Sequence, residues 1–403
     1  MNILFLTLHP ISDISERGIY TDLTREFIRH GHQIYIVVPA ERRFHLPTRI
    51  KESDGAKILS VKTLNIQKTN LIEKGLGTLL LEYQYQRAIR KYWENIKFDL
   101  ILYSTPPITF NRVISSVKRR CEAKTYLLLK DIFPQNAVDL GMFSKDSFVY
   151  KLFRKKEERL YQLSDHIGCM SPANVEYVLR HNPSITAERV EVCPNSIELY
   201  GKESEYNNGG LLQKLNIPTD KLLLIYGGNL GRPQGIDFLM DVLAANEKRT
   251  DTYFVVVGNG TEYGKISQWF RNNTPHNSCL IPSLPKQEYD DLVSACNVGL
   301  IFLDNRFTIP NYPSRLLSYL ENRMPVLMAT DMNTDIGPIA EKNGYGLWTE
   351  SGNLETFMEM VEFVTEDREK LKLMGEKGYD YLKENYTIAV SYTHLRAHET
   401  GRN

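Results

Sequence analysis

Short apolar runs alternate with segments of helical periodicity along almost the whole chain. Two stretches of the first half, SERGIYTDLTREFIRHG and PITFNRVISSVKRR, place apolar residues at the spacing of an amphipathic helix. Six apolar runs around these helices predict β-strands: NILFLTL, QIYIVV, DLILY, KTYLLL, HIGCM and RVEVC. Because such an alternation is typical of a parallel sheet covered on both faces, the pattern predicts an α/β fold.

The pattern restarts after a polar stretch, CPNSIELYGKESEYNNGG, which has little apolar periodicity. Beyond it, strands are predicted at KLLLIYG, TYFVVVG, VGLIFL and PVLMA. We therefore expect an N-terminal domain over residues 1–198, a linker over 199–220 and a C-terminal domain over 221–390. Both should be Rossmann-like, doubly wound domains that face each other across an interdomain cleft, with ligands at the carboxyl ends of their strands.

The last segment, SYTHLRAHETGRN, differs from the rest of the chain. It has no apolar stripe, and the helical pattern that ends in YDYLKENY does not continue into it. It is similar to translated adapter or vector sequence. We expect residues 391–403 to be a non-native tail outside the fold.

The amino-acid composition argues against nucleic acid as a partner and indicates the expected compartment. The chain has 49 basic and 49 acidic residues, so it has no net charge that would favour nucleic acid. Its five cysteines form no CxxC pair, which is typical of reduced thiols in the cytosol. There is no run of 18 apolar residues and no basic leader, so we expect a cytoplasmic protein without a membrane span.

A glycine-rich turn follows the first strand of the second half, in IYGGNLGRPQGIDFLMDVL. Gly227, Gly228 and Gly231 would let a ligand approach the backbone, and a helix predicted to begin near Pro233 would place Arg232 at its N-terminus. The alternative is a tight structural turn with a solvated arginine. The next strand ends in a second turn, with Gly258 and Gly260 in FVVVGNGTEYGKI, at the same edge of the sheet. Taken alone, this G-x-G favours a structural turn over a ligand site.

Arg315 begins a short helix predicted in YPSRLLSYLENRMP, with Ser314 as its N-cap. A cation is unfavourable at the positive end of a helix unless it binds an anion. A diphosphate held between Arg232 and Arg315 would supply that anion. The alternative is an ion pair between Arg315 and a carboxylate such as Asp304.

The order of these motifs resembles that in a known family. NLGRPQGIDFLMD, VVVGNGTE, IPSLPKQEYDDLVSACNVGLIFL and PSRLLSYLENRMPVLM are similar to the nucleotide-sugar domain of family 4 glycosyltransferases, which have the GT-B fold. ERGIYTDLTREFIRHGHQIYIVVP resembles that family's first βαβ unit. LKDIFPQNAVDLGMF and CPNSIELY resemble segments of the subgroup that acts in bacterial surface-polysaccharide assembly, including the WbuB-type N-acetyl-fucosamine transferases. The resemblance covers roughly residues 1–388.

The resemblance implies a role for individual residues. Arg232 and Arg315 would act as catalytic cations on the donor diphosphate. Asp131 would lie on the acceptor side, although a role as N-cap or turn residue before Pro134 is an open alternative. The donor would be bound by Gly18 beside its phosphate, by Gly228, Asn229, Gln234 and Ser314 around the diphosphate, by Gly258 and Gly260 at the nucleotide, and by the backbone of Leu284 and Pro285 at the base.

Two positions depart from the family. Gln234 stands where most members have a lysine, although this subgroup often has glutamine. The paired glutamates of the family's E-x7-E pattern fall on Pro310 and Ser318, and only Ser318 could form a hydrogen bond to the ribose.

The activity implied is a retaining, metal-independent glycosyltransferase of the hexosyltransferase type (EC 2.4), without a cofactor. No DxD motif is present, so arginines and helix dipoles would stabilise the leaving group. The donor would be a nucleotide-sugar, with UDP as the expected nucleotide and possible transfer of an N-acetylated deoxyhexose. The acceptor would be a polyprenyl-diphosphate-linked saccharide in O-antigen, capsule or exopolysaccharide synthesis. Two alternatives stay open: a sugar-nucleotide 2-epimerase, and a degenerate transferase that serves as an assembly scaffold.

A lipid-linked acceptor implies contact with the inner leaflet of the membrane. Residues 148–166 predict a helix that mixes apolar and basic side chains, which would suit a peripheral membrane protein. KGLGTLLLEYQYQRAIRKYW is a second candidate. For both, ordinary packing within the domain is the alternative.

Overall fold

A computed structural model describes residues 1–66, 69, 71–199 and 208–397. The chain divides into two compact units. The N-terminal unit comprises Met1–Glu198 and the chain from Thr387 onward, and the C-terminal unit comprises Leu199–Tyr386.

The N-terminal unit is built on an eight-stranded sheet with the strand order β3-β4-β2-β1-β5-β6-β7-β8. All six predicted strands are present, and every pair is parallel except β3 with β4. Buried aliphatic and aromatic side chains form the core on the faces of this sheet. The strands are β1 (Asn2–Leu6), β2 (Gln33–Glu41), β3 (Arg49–Ser53), β4 (Ala56–Thr63), β5 (Leu100–Ser104), β6 (Lys124–Leu129), β7 (His166–Cys169) and β8 (Val190–Val192).

The hairpin of β3 and β4 was not predicted. Asp54 and Gly55 connect the two strands with φ angles of 41° and 89°. An Asp-Gly pair with positive φ at both residues is the preferred two-residue hairpin turn, because its twist matches that of the strands. The polar composition of β3, RIKES, conceals the strand in the sequence because all but its last residue is exposed at the sheet edge.

Six helices of the N-terminal unit connect these strands. The helix α3 packs against both α2 and α5, so these three lie on the same face of the sheet. Their bounds are α1 (Ile19–Arg29), α2 (Leu71–Trp93), α3 (Asn111–Cys121), α4 (Gln135–Asp139), α5 (Phe148–Leu163) and α6 (Pro172–His181).

The C-terminal unit contains a six-stranded, fully parallel sheet with the order β11-β10-β9-β12-β13-β14. The order reverses between β9 and β12, which pair only at Leu224 and Ile225 and are separate towards their carboxyl ends. Such a reversal is where doubly wound sheets bind ligands. The strands are β9 (Leu222–Asn229), β10 (Thr252–Asn259), β11 (Ser278–Ile281), β12 (Val298–Phe302), β13 (Val326–Thr330) and β14 (Gly346–Glu350), of which β11 and β14 were not predicted.

One helix of the C-terminal unit lies inside the stretch predicted as a linker. This helix, α7, packs on α10, and the Lys214 ammonium lies 3.4 Å from a carboxylate oxygen of Glu288. The helices are α7 (Asn208–Lys214), α8 (Ile236–Asn246), α9 (Tyr263–Asn273), α10 (Lys286–Ala295), α11 (Arg315–Glu321), α12 (Ile336–Lys342), α13 (Leu354–Glu366) and α14 (Arg368–Asn385).

The end of the described chain returns to the N-terminal unit, whereas the sequence placed the boundary after residue 390. A last helix, α15 (Ile388–Ala397), continues into the segment that we expected to lie outside the fold. Tyr392 and Leu395 are buried in the core of the N-terminal unit, and the Tyr392 hydroxyl lies 3.0 Å from His32 Nε2. The expectation that no helix enters this segment is therefore wrong.

Candidate functional site

The two glycine turns of the C-terminal unit lie side by side. Gly228 and Gly258, with φ angles of 125° and 151°, are partners in the pairing of β9 with β10. A Cβ atom on Gly258 would lie 1.8 Å from the carbonyl oxygen of Gly228, and one on Gly260 would lie 2.3 Å from that of Leu230. Both positions therefore require glycine because two backbones approach closely, independently of any ligand.

Asn229 and Asn259, the last residues of the two strands, both form hydrogen bonds in this double turn. The carbonyl oxygen of Asn229 accepts a hydrogen bond of 2.7 Å from the Tyr226 hydroxyl, and Asn259 Oδ1 accepts one of 2.8 Å from the backbone N–H of Gly260. Gly228 and Asn229 are both exposed at the end of β9. The turn thus presents backbone at the edge where the sheet order reverses.

Arg315 is the first residue of α11 and reaches over this turn. Its Cζ lies 4.4 Å from the centroid of the Tyr226 ring, and its Nη2 lies 3.6 Å from where a Cβ of Gly228 would be. Nη2 donates a hydrogen bond to Gln234 Oε1. Nη1 is buried and has no hydrogen-bond partner in the described part of the chain. A buried donor without an acceptor is unfavourable, so this atom is suited to a ligand oxygen.

The alternative of an ion pair with Asp304 is not what the structure has. The two carboxylate oxygens of Asp304 accept hydrogen bonds of 2.8 Å and 2.7 Å from Arg306. Across the described ranges, no carboxylate oxygen lies within 4.0 Å of an Arg315 nitrogen.

Two further side chains orient the Arg315 guanidinium. Gln234 accepts its hydrogen bond, so in this structure the amide oxygen contacts the arginine. The ring of Tyr226 supplies a cation–π surface. Sequence reasoning missed Tyr226, although its position two residues before Gly228 on a strand places both on the same face.

Arg232 differs from the prediction. It lies in a short 3₁₀ turn, Arg232–Gln234, and α8 begins only at Ile236 after Gly235, whose φ is 54°. A helical turn therefore begins at Arg232 beside Pro233, but it is a 3₁₀ turn, and Arg232 is not at the N-terminus of α8. The Arg232 side chain is 61% exposed, and its Nε lies 3.5 Å from Glu262 Oε1. Arg232 is thus an exposed cation on the same turn as Gln234.

The remaining predicted residues of the C-terminal unit lie at three places. Ser314 precedes α11, but its side chain forms no capping hydrogen bond, so the predicted N-cap interaction is absent. Ser318 is half-buried one turn further along α11. Leu284 and Pro285 lie between β11 and α10, at the carboxyl edge of the sheet.

In the N-terminal unit, Gly18 directly precedes α1 in an extended conformation with φ of 175°. Its N–H donates a hydrogen bond of 3.0 Å to Asp22 Oδ1. Asp22 is fully buried and also contacts Arg25 at 2.6 Å. Gly18 therefore lies at a helix start that is fixed by an internal ion pair.

Asp131 follows β6 at the carboxyl edge of the N-terminal sheet. Both of its carboxylate oxygens accept a hydrogen bond of 2.9 Å from Asn136 Nδ2. Burial raises its pKa to about 6, and the hydrogen bond from Asn136 opposes that shift. The residue that precedes α4 is Pro134, so Asp131 is not its N-cap. An ionisable carboxyl with a pKa near neutrality is typical of a group that exchanges protons.

Comparison with known proteins identifies the C-terminal unit. Residues 211–381 match the family described as "Glycosyl transferases group 1". The match covers most of the C-terminal unit. The chain is therefore a glycosyltransferase (EC 2.4), as the sequence predicted.

Two relatives of this glycosyltransferase are similar over most of their length. The probable glycosyltransferase WbjE of Pseudomonas aeruginosa is 21% identical over 332 residues, which cover 80% of this chain and 79% of WbjE. The putative colanic acid biosynthesis glycosyl transferase WcaI of Escherichia coli K12 is 21% identical over 360 residues, 85% and 86% of the two chains. The crystal structure of Anabaena HepE with UDP-glucose covers 98% of both chains at 15% identity and a TM-score of 0.70. The predicted GT-B fold is confirmed.

Two helices of the N-terminal unit of this glycosyltransferase expose apolar side chains in their first halves. On α2 these are Leu76, Leu79, Leu80 and Tyr83, and on α5 they are Phe148, Val149 and Leu152. Phe148 is the most exposed of them, at 79%. In the described residues, no helix is both long enough and apolar enough to cross a bilayer.

Proposed function

We propose that this protein is a retaining, metal-independent transferase that moves a sugar from a UDP-sugar to a lipid-linked saccharide. The observation that supports the donor most strongly is the buried Nη1 of Arg315 at the carboxyl edge of the C-terminal sheet, which has no hydrogen-bond partner among the residues that the structure describes. HepE, which shares the fold, has been crystallised with UDP-glucose. The description of WcaI as a putative colanic acid biosynthesis glycosyl transferase supports a role in bacterial polysaccharide synthesis.

In this proposal the donor diphosphate lies over the turn at Gly228 and Asn229. Arg315 Nη1 donates to a phosphate oxygen, while Gln234 and Tyr226 keep the guanidinium in place. Arg232 is the second cation, and its exposure means that a bound phosphate would order it. Donors fixed before the reaction stabilise developing charge without reorganisation, which is the main electrostatic contribution to catalysis.

The transfer step follows from a stabilised leaving group. The bond between the anomeric carbon and the phosphate oxygen breaks, and a bond from the same carbon to the acceptor oxygen forms on the same face of the sugar. The departing phosphate oxygen takes the proton of the acceptor hydroxyl. The configuration is retained, and the step requires neither a carboxylate nucleophile nor a metal.

We place the acceptor at Asp131, on the carboxyl edge of the N-terminal sheet. Its pKa of about 6 lets it accept a hydrogen bond from a sugar hydroxyl at neutral pH as a carboxylate. If Asp131 acts in this form, kcat/KM falls as the pH drops below about 6, and this limb is absent in Asp131→Asn. A wild-type profile that is flat through this range would contradict the role.

We further propose that the exposed apolar residues of α2 and α5 rest on the inner leaflet. Both helices pack on the same face of the sheet, and each begins at its carboxyl edge. The first turns of α5 also carry the exposed Lys151 and Lys155, which would attract anionic headgroups. This surface lies on the unit that contains Asp131, where a polyprenyl-linked acceptor would be presented.

Sedimentation with vesicles of phosphatidylglycerol tests the membrane surface. We expect the double variant Phe148→Ser/Leu80→Ser to lose most of its binding, because each exposed apolar side chain contributes about 1.5–3 kcal/mol when buried in lipid. The matched control is Leu373→Ser, because Leu373 is 57% exposed on α14 of the C-terminal unit. Equal binding by all three proteins would contradict the proposed surface.

Nucleotide release tests the catalytic proposal. The purified protein is incubated with UDP- and GDP-sugars, with and without a polyprenyl-diphosphate-linked saccharide. We expect release of the nucleoside diphosphate only with acceptor present, with retention at the anomeric carbon of the product. Release of the nucleoside diphosphate without an acceptor would indicate a sugar-nucleotide 2-epimerase. Binding of the donor without release of the nucleoside diphosphate would indicate a non-catalytic scaffold.

A further inference from the structure

Tyr289 packs against the glycine turn at the end of β9, on the face of the sheet opposite to that of Tyr226. It belongs to α10, and its hydroxyl oxygen would lie 2.2 Å from a Cβ atom on Gly227. Gly227 directly precedes Gly228, whose Cβ position faces Arg315. Tyr289 as a whole is half-buried. Only glycine at position 227 leaves room for this side chain.

The hydroxyl of Tyr289 is available to a ligand. Among the residues that the structure describes, it forms no hydrogen bond. Burial raises its pKa to about 12, while the nearby Arg315 charge opposes this shift. The phenol therefore keeps its proton at neutral pH and can donate one hydrogen bond.

Other tyrosines around the turn are already engaged. The Tyr226 hydroxyl donates to the carbonyl of Asn229. The Tyr319 hydroxyl donates to the carbonyl of Ile225 at 3.1 Å and accepts from the N–H of Gly227 at 3.2 Å. Within the described ranges, Tyr289 is thus the tyrosine of this group that has an unused donor, and it lies close enough to Arg315 for that charge to act on the phenol.

We propose that Tyr289 is a further donor-binding residue, whose hydroxyl donates to an oxygen of the diphosphate that Arg315 binds. This inference rests on the proposed function. An anion is the ligand that suits both groups, since one is a cation and the other is a neutral donor held in its field. The hydroxyl then binds the leaving group from the face of Gly227, while Arg315 binds it from the face of Gly228.

Calorimetric titration of Tyr289→Phe with UDP, GDP, uridine and guanosine tests the inference. The substitution removes only the hydroxyl. We expect Kd for the nucleoside diphosphate to rise about 5–10-fold, as for loss of one hydrogen bond to a charged group, and Kd for the nucleoside to stay unchanged. Tyr345→Phe is the matched control, because Tyr345 is a buried tyrosine of the same unit that lies outside this turn. We expect it to bind as the wild type does.

Gly227→Ala provides a second variant, since the added methyl group would displace the phenol from the turn. We expect it to weaken diphosphate binding at least as much as Tyr289→Phe does. Wild-type affinity in Tyr289→Phe would overturn the inference alone. An equal loss for nucleoside and nucleoside diphosphate would also overturn it, because the contact would then be to the nucleoside. A wild-type protein that binds no nucleoside diphosphate would overturn the proposed function as well.

Discussion

Two arginines, one in each unit, show the difference between a cation that holds the fold and one that is available for a ligand. Arg25 of α1 contacts Asp22 at 2.6 Å and Glu198 at 3.1 Å, and its Nη1 donates to the carbonyl of Ile14. Each nitrogen of this guanidinium therefore has an acceptor. The group joins α1 to residue 198 at the end of the unit's first segment.

Arg315 has the same chemical group, and Gln234 accepts a hydrogen bond from its Nη2, whereas its Nη1 is buried without an acceptor among the described residues. The guanidinium also lies over the ring of Tyr226. Buried donors are nearly always paired in folded proteins, so an unpaired one needs an explanation. The contrast indicates that Arg315 binds an anionic group of the substrate, whereas Arg25 forms its ion pairs with carboxylates of the chain itself.

Substitution of Arg315 is the largest test of this contrast. We expect Arg315→Ala to lower kcat about 10²–10³-fold, the range for losing one fixed donor to a developing charge. Stability should change little, because the lost hydrogen bond to Gln234 is a single contact. Steady-state kinetics and thermal melts measure the two effects. A variant with normal turnover would remove Arg315 from the catalytic role.

The counterpart, Arg25→Ala, should have the opposite result. Asp22 is fully buried and would be left without its cation, which costs about 3–5 kcal/mol of unfolding free energy. The affinity of the remaining folded protein for UDP should equal that of the wild type. Urea unfolding and calorimetry report these separately. Weaker UDP binding with unchanged stability would reverse the assignment of the two arginines.

A smaller effect is expected from the group that orients Arg315. Gln234→Leu removes the acceptor of Nη2, and we expect kcat/KM to fall about 10-fold, in proportion to one hydrogen bond. Gln234→Glu is the informative comparison. A carboxylate there would form an ion pair with Arg315 and compete with the diphosphate, so its loss should be larger. Equal activity of both variants and the wild type would show that Gln234 has no positioning role.

The smallest expected effect is the contribution of Asp131 to the pH dependence of the unfolding free energy. Because burial raises the pKa of Asp131 to about 6, the folded state binds this proton more tightly than the unfolded chain, in which the pKa is about 4. The stabilisation is complete below about pH 4 and is lost as the pH rises through about 6. In Asp131→Asn, this part of the pH dependence should disappear. Urea unfolding at several pH values would measure it, and identical slopes for both proteins would contradict the raised pKa.

Asp331 of the C-terminal unit supplies an internal reference for that experiment. Burial raises its pKa to about 6 as well, against hydrogen bonds from Asn333 and Thr334. We therefore expect the unfolding free energy of Asp131→Asn still to depend on pH, with a smaller slope that reflects groups such as Asp331.

The sequence predicted the architecture because apolar runs and helical periodicity depend on burial, which is a local property of each strand. Apart from β4, the strands that it missed are those whose burial is incomplete. The β3 strand is mostly exposed, and β11 and β14 are short strands at the two edges of the C-terminal sheet. The helix α7 lies in a polar stretch and was not predicted. It packs on α10, and a contact between segments far apart in the chain cannot be predicted from local periodicity.

The candidate site was predicted less completely, since side-chain pairing depends on three-dimensional contacts. The sequence singled out Arg315 from its unfavourable position at a helix start. It could not show that Gln234 contacts Arg315, that Arg232 is exposed beside Glu262, or that Ser314 forms no cap. The glycines at 258 and 260 matched the expected motif, yet the structure explains them by the close approach of two turns.

A crystal structure of the protein with UDP would test the central claim most directly, because that claim concerns one atom. We expect Arg315 Nη1 to lie within about 3 Å of a diphosphate oxygen, with Nη2 still bound to Gln234. A diphosphate bound elsewhere on the C-terminal unit, with Nη1 still unpaired, would contradict it.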